Sequence, residues 1–342
     1  MLSFPDVGRR RRRGRFPGRE LEEKSMARAS GRDLLPIIVV AAVAGLAASS
    51  FFLPVRWVYL GSELLIAILF ASSLNLLMGY GGMLSFGHGA YYALAAYASG
   101  LLFTRLGWRM EAAMLAGPAV AMAGAFVFGL FIMRGNRGGE HATFLMLTLA
   151  FSQLVFAVIY KWYAVTRGDD GVSGIDAAAW LADPRRYFLF TLAVVCACLW
   201  LLYRIKNSPF GVTLQAVRDN PRRCEFNGVD IRRHQLAAFV IAGLFAGVAG
   251  SLYAFFSGTI SPQLADWSAS ARPFLANTMG GVQSFWGPVV GVLALELIDS
   301  QVGRLTQHSL LAVGALAIAV GMILPRGIVG AIQSLFKAKA AE

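Results

Sequence analysis

From Leu34 onward the chain runs as long apolar stretches separated by short polar or glycine-rich interruptions. The stretches fall near residues 34–53, 57–78, 85–104, 111–133, 141–160, 186–204, 235–257, 286–300 and 308–325. Most approach the roughly 20 apolar residues that carry a helix across a bilayer. The pattern therefore predicts an all-α fold, a polytopic transmembrane bundle of nine or ten membrane segments. An odd number of crossings would put the two basic ends of the chain on opposite faces. A further crossing or half-crossing over the apolar stretch Arg272–Gly281 brings them to the same face.

Composition agrees with the pattern. Of the 342 residues, 57% are apolar and only 15% charged, against about 25% charged in soluble domains. Between Leu34 and Thr104 the only Lys, Arg, Asp or Glu residues are Arg56 and Glu63. An ordinary soluble enzyme is excluded. Cys196, Cys198 and Cys224 have neither the number nor the spacing of a disulfide framework or a four-ligand zinc site, and no metal site is expected.

The formal charge of +12 changes the picture only once it is placed. Residues 1–33 carry a net +5, residues 204–233 a net +4 and residues 326–342 a net +2, nearly the whole excess. Lys and Arg beside membrane spans mark the cytoplasmic side, so both termini and the 204–234 loop are expected there. The run Arg9–Arg13 reads as a solvated tail beside anionic lipid, not as a nucleic-acid site. The expected organisation is a basic tail (1–33), a transmembrane domain (34–325) and a short tail (326–342). The first span is long and lacks a small-residue cleavage site, so it is expected to stay uncleaved. Met26 offers a shorter start, which would make residues 1–25 an overextension.

Two interrupted segments echo each other, GGMLSFGHG from Gly81 and GGVQSFWGP from Gly280. Paired broken helices in two halves of a chain expose backbone groups to a polar pathway, whereas glycine and serine also serve simple close packing; the sequence leaves both open. Asn75, Ser85, His88, Asn277 and Ser284 are the polar residues near these breaks. They are candidate pathway residues, with His88, between two glycines, expected to be a helix-break residue satisfied by backbone. Glu63, Glu296 and Asp299 lie near expected span ends and are read as snorkelling to an interface.

The loop 204–234 carries helix punctuation. Ser208 can cap, Pro209 fits the first helical position, and Phe210, Leu214 and Val217 recur at helical spacing. Asn220 and Pro221 interrupt, a second short helix can run through Cys224 to Phe226, and Gly228 suits a left-handed stop. Arg218 supplies little charge for a lipid-surface helix, so a docking element for a cytosolic partner is expected.

The block SLNLLMGYGGMLSFGHGAYYALAAY from Ser73 resembles the signature of branched-chain amino-acid ABC importer permeases of the LivM type. FLMLTLAFSQLVFAVIY, GDDGVSGI, SPFGVTLQAVRDNP with LAAFVIAGLFAGVAGSLYA, and MGGVQSFWGPVVGVLALELI follow in family order, over roughly residues 60–330. The resemblance implies a heterodimer with a related permease, two cytosolic ATPase subunits holding ATP and magnesium, an external solute-binding protein and a bacterial inner membrane. It places ATPase coupling at residues 208–228, through Phe210, Gly211, Leu214, Val217, Arg218 and Gly228. Asp169 and Asp170, acidic between glycines in an outward loop, read either as a contact for the binding protein or an outer gate, or as a solvated turn, and the sequence leaves both open. Residues 1–33 have no counterpart in the family pattern, and Val212, Gln215, Phe226 and Asn227 depart from it.

No Lys follows a Gly, so the chain has no phosphate-binding loop of the Walker A kind. It is expected to be no enzyme and to bind no cofactor itself. A permease for urea or short amides is the near alternative, and an ion-coupled secondary transporter the distant one.

Overall fold

The computed structural model describes residues 45–48, 50–135, 141–305, 314, 327–331 and 334. Chain contacts divide the protein at Phe52/Leu53. In the first unit, residues 45–48 and 50 are helical. The remaining description concerns the unit from Leu53 onward. The tails and the spans expected at 34–53 and 308–325 lie wholly or largely outside the described residues.

Helix α1 (Val55–Asn75) runs into one π turn, Leu76–Tyr80, and after an irregular stretch α2 (His88–Leu106) begins. Then come α3 (Met110–Gly135), α4 (His141–Lys161) and the single turn α5 (Tyr163–Thr166). Strand β1 (Val172–Ser173) precedes α6 (Pro184–Lys206). Two short helices, α7 (Pro209–Asp219) and α8 (Pro221–Phe226), lead to α9 (Ile231–Ser257). Strand β2 (Thr259–Ile260) is followed by α10 (Trp267–Gly280) and α11 (Gly287–Leu305).

Five helical stretches among the described residues are long and apolar enough to cross a membrane: Val55–Tyr80, Met110–Arg134, Ala142–Lys161, Pro184–Lys206 and Ile231–Ser257. All five match expected spans. The first and last are mostly buried, whereas the other three turn most of their apolar surface outward. Leu115 and Met146 are typical of that outer surface, which suits lipid.

Small residues bring the inner helices together. A Cβ on Gly250 of α9 would stand 2.1 Å from the carbonyl oxygen of Tyr92 in α2, so only glycine permits that approach. Ser99 and Ser251 hydrogen-bond across the same seam at 2.8 Å. Without a hydrophobic drive between helices in lipid, such close packing and interhelical hydrogen bonding hold the bundle.

The segment expected at 272–281 is helical but begins earlier, because Asp266 caps it: its carboxylate accepts from the Ser268 backbone N–H at 3.4 Å and hydroxyl at 2.7 Å. The polar opening WSASAR hides this start from hydropathy. Its 14 residues span roughly 21 Å at the usual helical rise, short of a hydrocarbon core of about 30 Å. Both interrupted segments lack regular structure, at residues 81–87 and 281–286, and each opens into a helix.

Candidate coupling and translocation site

The 208–228 element folds as its punctuation predicts. The Ser208 hydroxyl accepts from the Gly211 N–H at 3.3 Å and Pro209 occupies the first turn of α7. Asn220 ends that helix and caps α8, its side chain accepting from the Arg223 N–H at 3.0 Å. Gly228 has a φ of 80°, where a side chain is strained. Gly211 is required by close approach, since a Cβ there would lie 2.2 Å from the Lys206 carbonyl oxygen.

Within α7 the apolar residues divide between two faces. Leu214 and Val217 are buried, at 0% and 1% exposure, and Leu214 belongs to the main core. Phe210 packs against that core and stacks on His234. These residues hold the element to the bundle. The outward apolar residues are Val212, 60% exposed, and Phe226 of α8, 91% exposed.

Arg218 does not face outward. Its guanidinium donates to the carbonyl of Gly79 in the π turn, and also to the carboxylate of Asp219. A Cβ on Gly82 would stand 2.6 Å from Arg218 Cγ, so the arginine stem passes directly under the first break. The Lys206 ammonium at the end of α6 lies over the rings of Tyr80 and Phe285, one from each broken segment. Arg218 of α7 and Lys206 at the end of α6 thus contact both broken segments.

The breaks also grip each other. The Asn75 amide donates to the Ser284 carbonyl at 3.2 Å, and the Asn277 amide to the Ala71 carbonyl at 3.0 Å. A Cβ on Gly79 would meet the Val282 carbonyl oxygen at 2.2 Å. Ser72 Oγ, Asn75 Oδ1 and Tyr80 Oη have no protein hydrogen-bond partner and belong to residues lining one cavity of about 10 Å³, near the lower limit for a single water.

The structure therefore places the candidate pathway residues as follows. Asn75 reaches the backbone carbonyl of Ser284 in the second break, and Asn277 ties α10 to α1 at the Ala71 carbonyl. The Ser85 hydroxyl accepts from the Gly87 N–H at 3.3 Å, within the first break. His88 is fully buried and its partner is a side chain, not the backbone expected for it: Nε2 hydrogen-bonds Ser73 Oγ at 2.8 Å. As the first residue of α2, His88 points back across α1, where Ser73 presents a hydroxyl and Phe70 a stacking face at 5.4 Å.

At the opposite face, Asp169 accepts from Gln263 at 3.2 Å and Asp170 from the Tyr163 hydroxyl at 2.8 Å. The latter bond holds the Tyr163 phenol above its usual pKa. Strands β1 and β2 pair antiparallel beside them. Asp169 and Asp170 remain exposed.

Sequence reasoning missed a second polar centre. Glu63, Arg272 and Glu296 line a cleft of about 280 Å³ between α1, α10 and α11, and Arg272 pairs with Asp299 at 2.5 Å. Arg272 lies eight residues before Gly280 and Glu296 nine after Gly287, each roughly 12–14 Å from the breaks by helical rise. The breaks sit against the 204–234 loop, so these two groups stand roughly two helical turns away from that end of the bundle. A charged side chain at the centre of a membrane span costs about 2.5–3.5 kcal/mol on insertion scales and normally faces a polar path or a partner. The available signal was the i,i+3 spacing of Glu296 and Asp299 on one helix face, with Arg272 on the preceding segment.

Comparison with known proteins gives the same frame. Residues 57–325 match the family model described as branched-chain amino acid transport system / permease component. The high-affinity branched-chain amino acid transport system permease protein LivM of Escherichia coli is 26% identical over 302 residues, covering 80% of this chain and 70% of that protein. The permease protein LivH of the same system in Escherichia coli is 24% identical over 282 residues, 77% of this chain and 90% of that one. A probable LivM permease of Methanocaldococcus jannaschii is 26% identical over 191 residues, 54% of each. No solved structure matches. With two broken helices joined at one face of an all-helical bundle and a family match over most of its length, the chain belongs to the branched-chain amino acid transport system permease family.

Proposed function

We propose that this chain is a membrane-spanning permease subunit of an ATP-driven importer for branched-chain or related amino acids. It forms half of the translocation path, with a related permease as the other half, as the pairing of LivM-like and LivH-like relatives supports. Two cytosolic ATPase subunits supply the ATP–Mg site, and an external solute-binding protein delivers the solute near Asp169 and Asp170. Both termini and the 204–234 loop face the cytoplasm of a bacterial inner membrane.

The observation that carries the mechanism is the bond from Arg218 to the Gly79 carbonyl. A ligand shifts a conformational equilibrium only through contacts that differ between states. An ATPase docked on Val212 and Phe226 moves α7 and α8, and Arg218 with Lys206 passes that movement to both breaks. Asn75 and Asn277 keep the breaks moving as one. The path between the permeases then opens to alternate faces without any chemistry on this chain.

The reading is tested by uptake of labelled leucine and labelled urea into proteoliposomes carrying the chain with its neighbouring transport subunits. The expected result is leucine uptake that requires ATP. Urea uptake in its place redirects the solute, and uptake that follows an ion gradient and ignores ATP overturns the importer reading.

A further inference from the structure

We propose that the cleft between α1, α10 and α11 is this chain's own solute site: Glu63 and Glu296 receive an ammonium, Arg272 a carboxylate, and the floor an aliphatic side chain. The inference rests on the reading of the chain as an amino-acid importer permease and assigns the site within it.

Three features select a zwitterion with an apolar tail. First, Arg272 is paired with Asp299, while Glu63 and Glu296 have no ion-pair or hydrogen-bond partner among the described residues. Glu296 is within electrostatic reach of Arg272, Glu63 and Asp299, so acid and base are gathered at one mouth. The cleft therefore offers a cation two carboxylates that make no ion pair among the described residues. Second, Arg272 keeps 63% of its side chain exposed despite its ion pair. A guanidinium carries five N–H donors, so a second carboxylate can share it without displacing Asp299. Third, Ile66, Ala67, Phe70, Val292 and Leu295 supply an apolar lining below the charges. At about 280 Å³ the cleft is at the small end of small-molecule sites.

Simpler occupants fit less well. An inorganic cation has no use for the apolar floor or the guanidinium, and a neutral amide such as urea, although it can donate to a carboxylate, carries neither a charge for the acidic and basic groups nor an apolar part for the floor. Phe70 connects this site with the joint, because its ring lines the cleft and also stacks on His88. A solute seated here thus touches the helix that carries the first break.

The test uses the assembled transporter in proteoliposomes with saturating leucine-loaded binding protein. Wild-type uptake of labelled leucine that depends on ATP is expected; its absence overturns the importer reading and the site with it. Given that uptake, Glu296→Gln and Arg272→Gln should each lower its maximal rate at least tenfold while the chain co-purifies with its partners at the wild-type level. Arg272→Lys should retain more activity than Arg272→Gln. Rates within twofold of wild type in both glutamine variants overturn the site alone. A second measurement does not depend on those variants folding. Ala269 lines the same cleft and is half-buried, so Ala269→Cys introduces a thiol there. Its modification by a charged thiosulfonate should slow at least threefold with leucine, and not with urea or 4-methylpentanoate, which lacks the ammonium. A modification rate that leucine leaves unchanged, or that urea slows equally, overturns the proposal.

Discussion

The two polar centres of this bundle differ in how their groups are partnered. At the joint between the 208–228 element and the two breaks, Arg218, Asn75 and Asn277 each donate to a backbone carbonyl of another element. In the cleft, Glu63 and Glu296 have no ion-pair partner among the described residues, and Arg272 remains largely exposed beside Asp299. A donor spent on backbone is committed to holding shape, because an unmade bond at a buried carbonyl costs about 1–3 kcal/mol. Glu63 and Glu296 hold no such bond among the described residues. The contrast separates a mechanical joint from a place where something binds.

The contrast can be broken or sharpened by substitution. The largest effect is expected at Leu214, fully buried in the joint. Leu214→Asp buries an unpaired carboxylate and should cost on the order of 4 kcal/mol or more, read as loss of folded protein after solubilisation. Gly79→Ala forces a Cβ against the Val282 carbonyl and should cost about 1–3 kcal/mol, measured as a lowered thermal midpoint. Glu296→Gln in the cleft should leave that midpoint unchanged or raise it, even as uptake falls; a large drop would place Glu296 among the structural groups. Val212→Asp, on the exposed face of α7, should move stability by less than about 0.5 kcal/mol yet weaken co-purification with the ATPase subunits. Smallest of all, Asp169→Ala removes one exposed hydrogen bond to Gln263 and should leave the thermal midpoint within error.

Much of the joint was legible in the sequence because local rules govern it. Ser208, Pro209, Asn220, Pro221 and Gly228 act within a turn or two of their own positions, and all adopt the expected roles. The two GG-x-x-SF blocks marked both places but left close packing as an equal reading, and the irregular backbone at residues 81–87 and 281–286 is seen only in the fold. The inward face of Arg218 was not legible, because its acceptor lies 139 residues away. Nor was the start of α10, since WSASAR reads as loop until Asp266 is seen capping it. His88 was assigned a backbone partner because the sequence shows its flanking glycines and hides Ser73, which comes close only through the packing of α1 on α2. The cleft was missed for a related reason. Hydropathy places Glu63, Glu296 and Asp299 near the ends of separate stretches, and only the packing of three helices shows that two of them share a cleft with Arg272.

The central claim is that movement of the 208–228 element reaches the breaks through Arg218. The most direct test is ATP-driven leucine uptake by proteoliposomes containing the Arg218→Ala variant, with ATP hydrolysis followed in the same preparation. The account predicts that hydrolysis persists while leucine uptake falls at least tenfold, so that more ATP is consumed per leucine carried. Uptake that keeps the wild-type rate and the wild-type ratio to hydrolysis would contradict it.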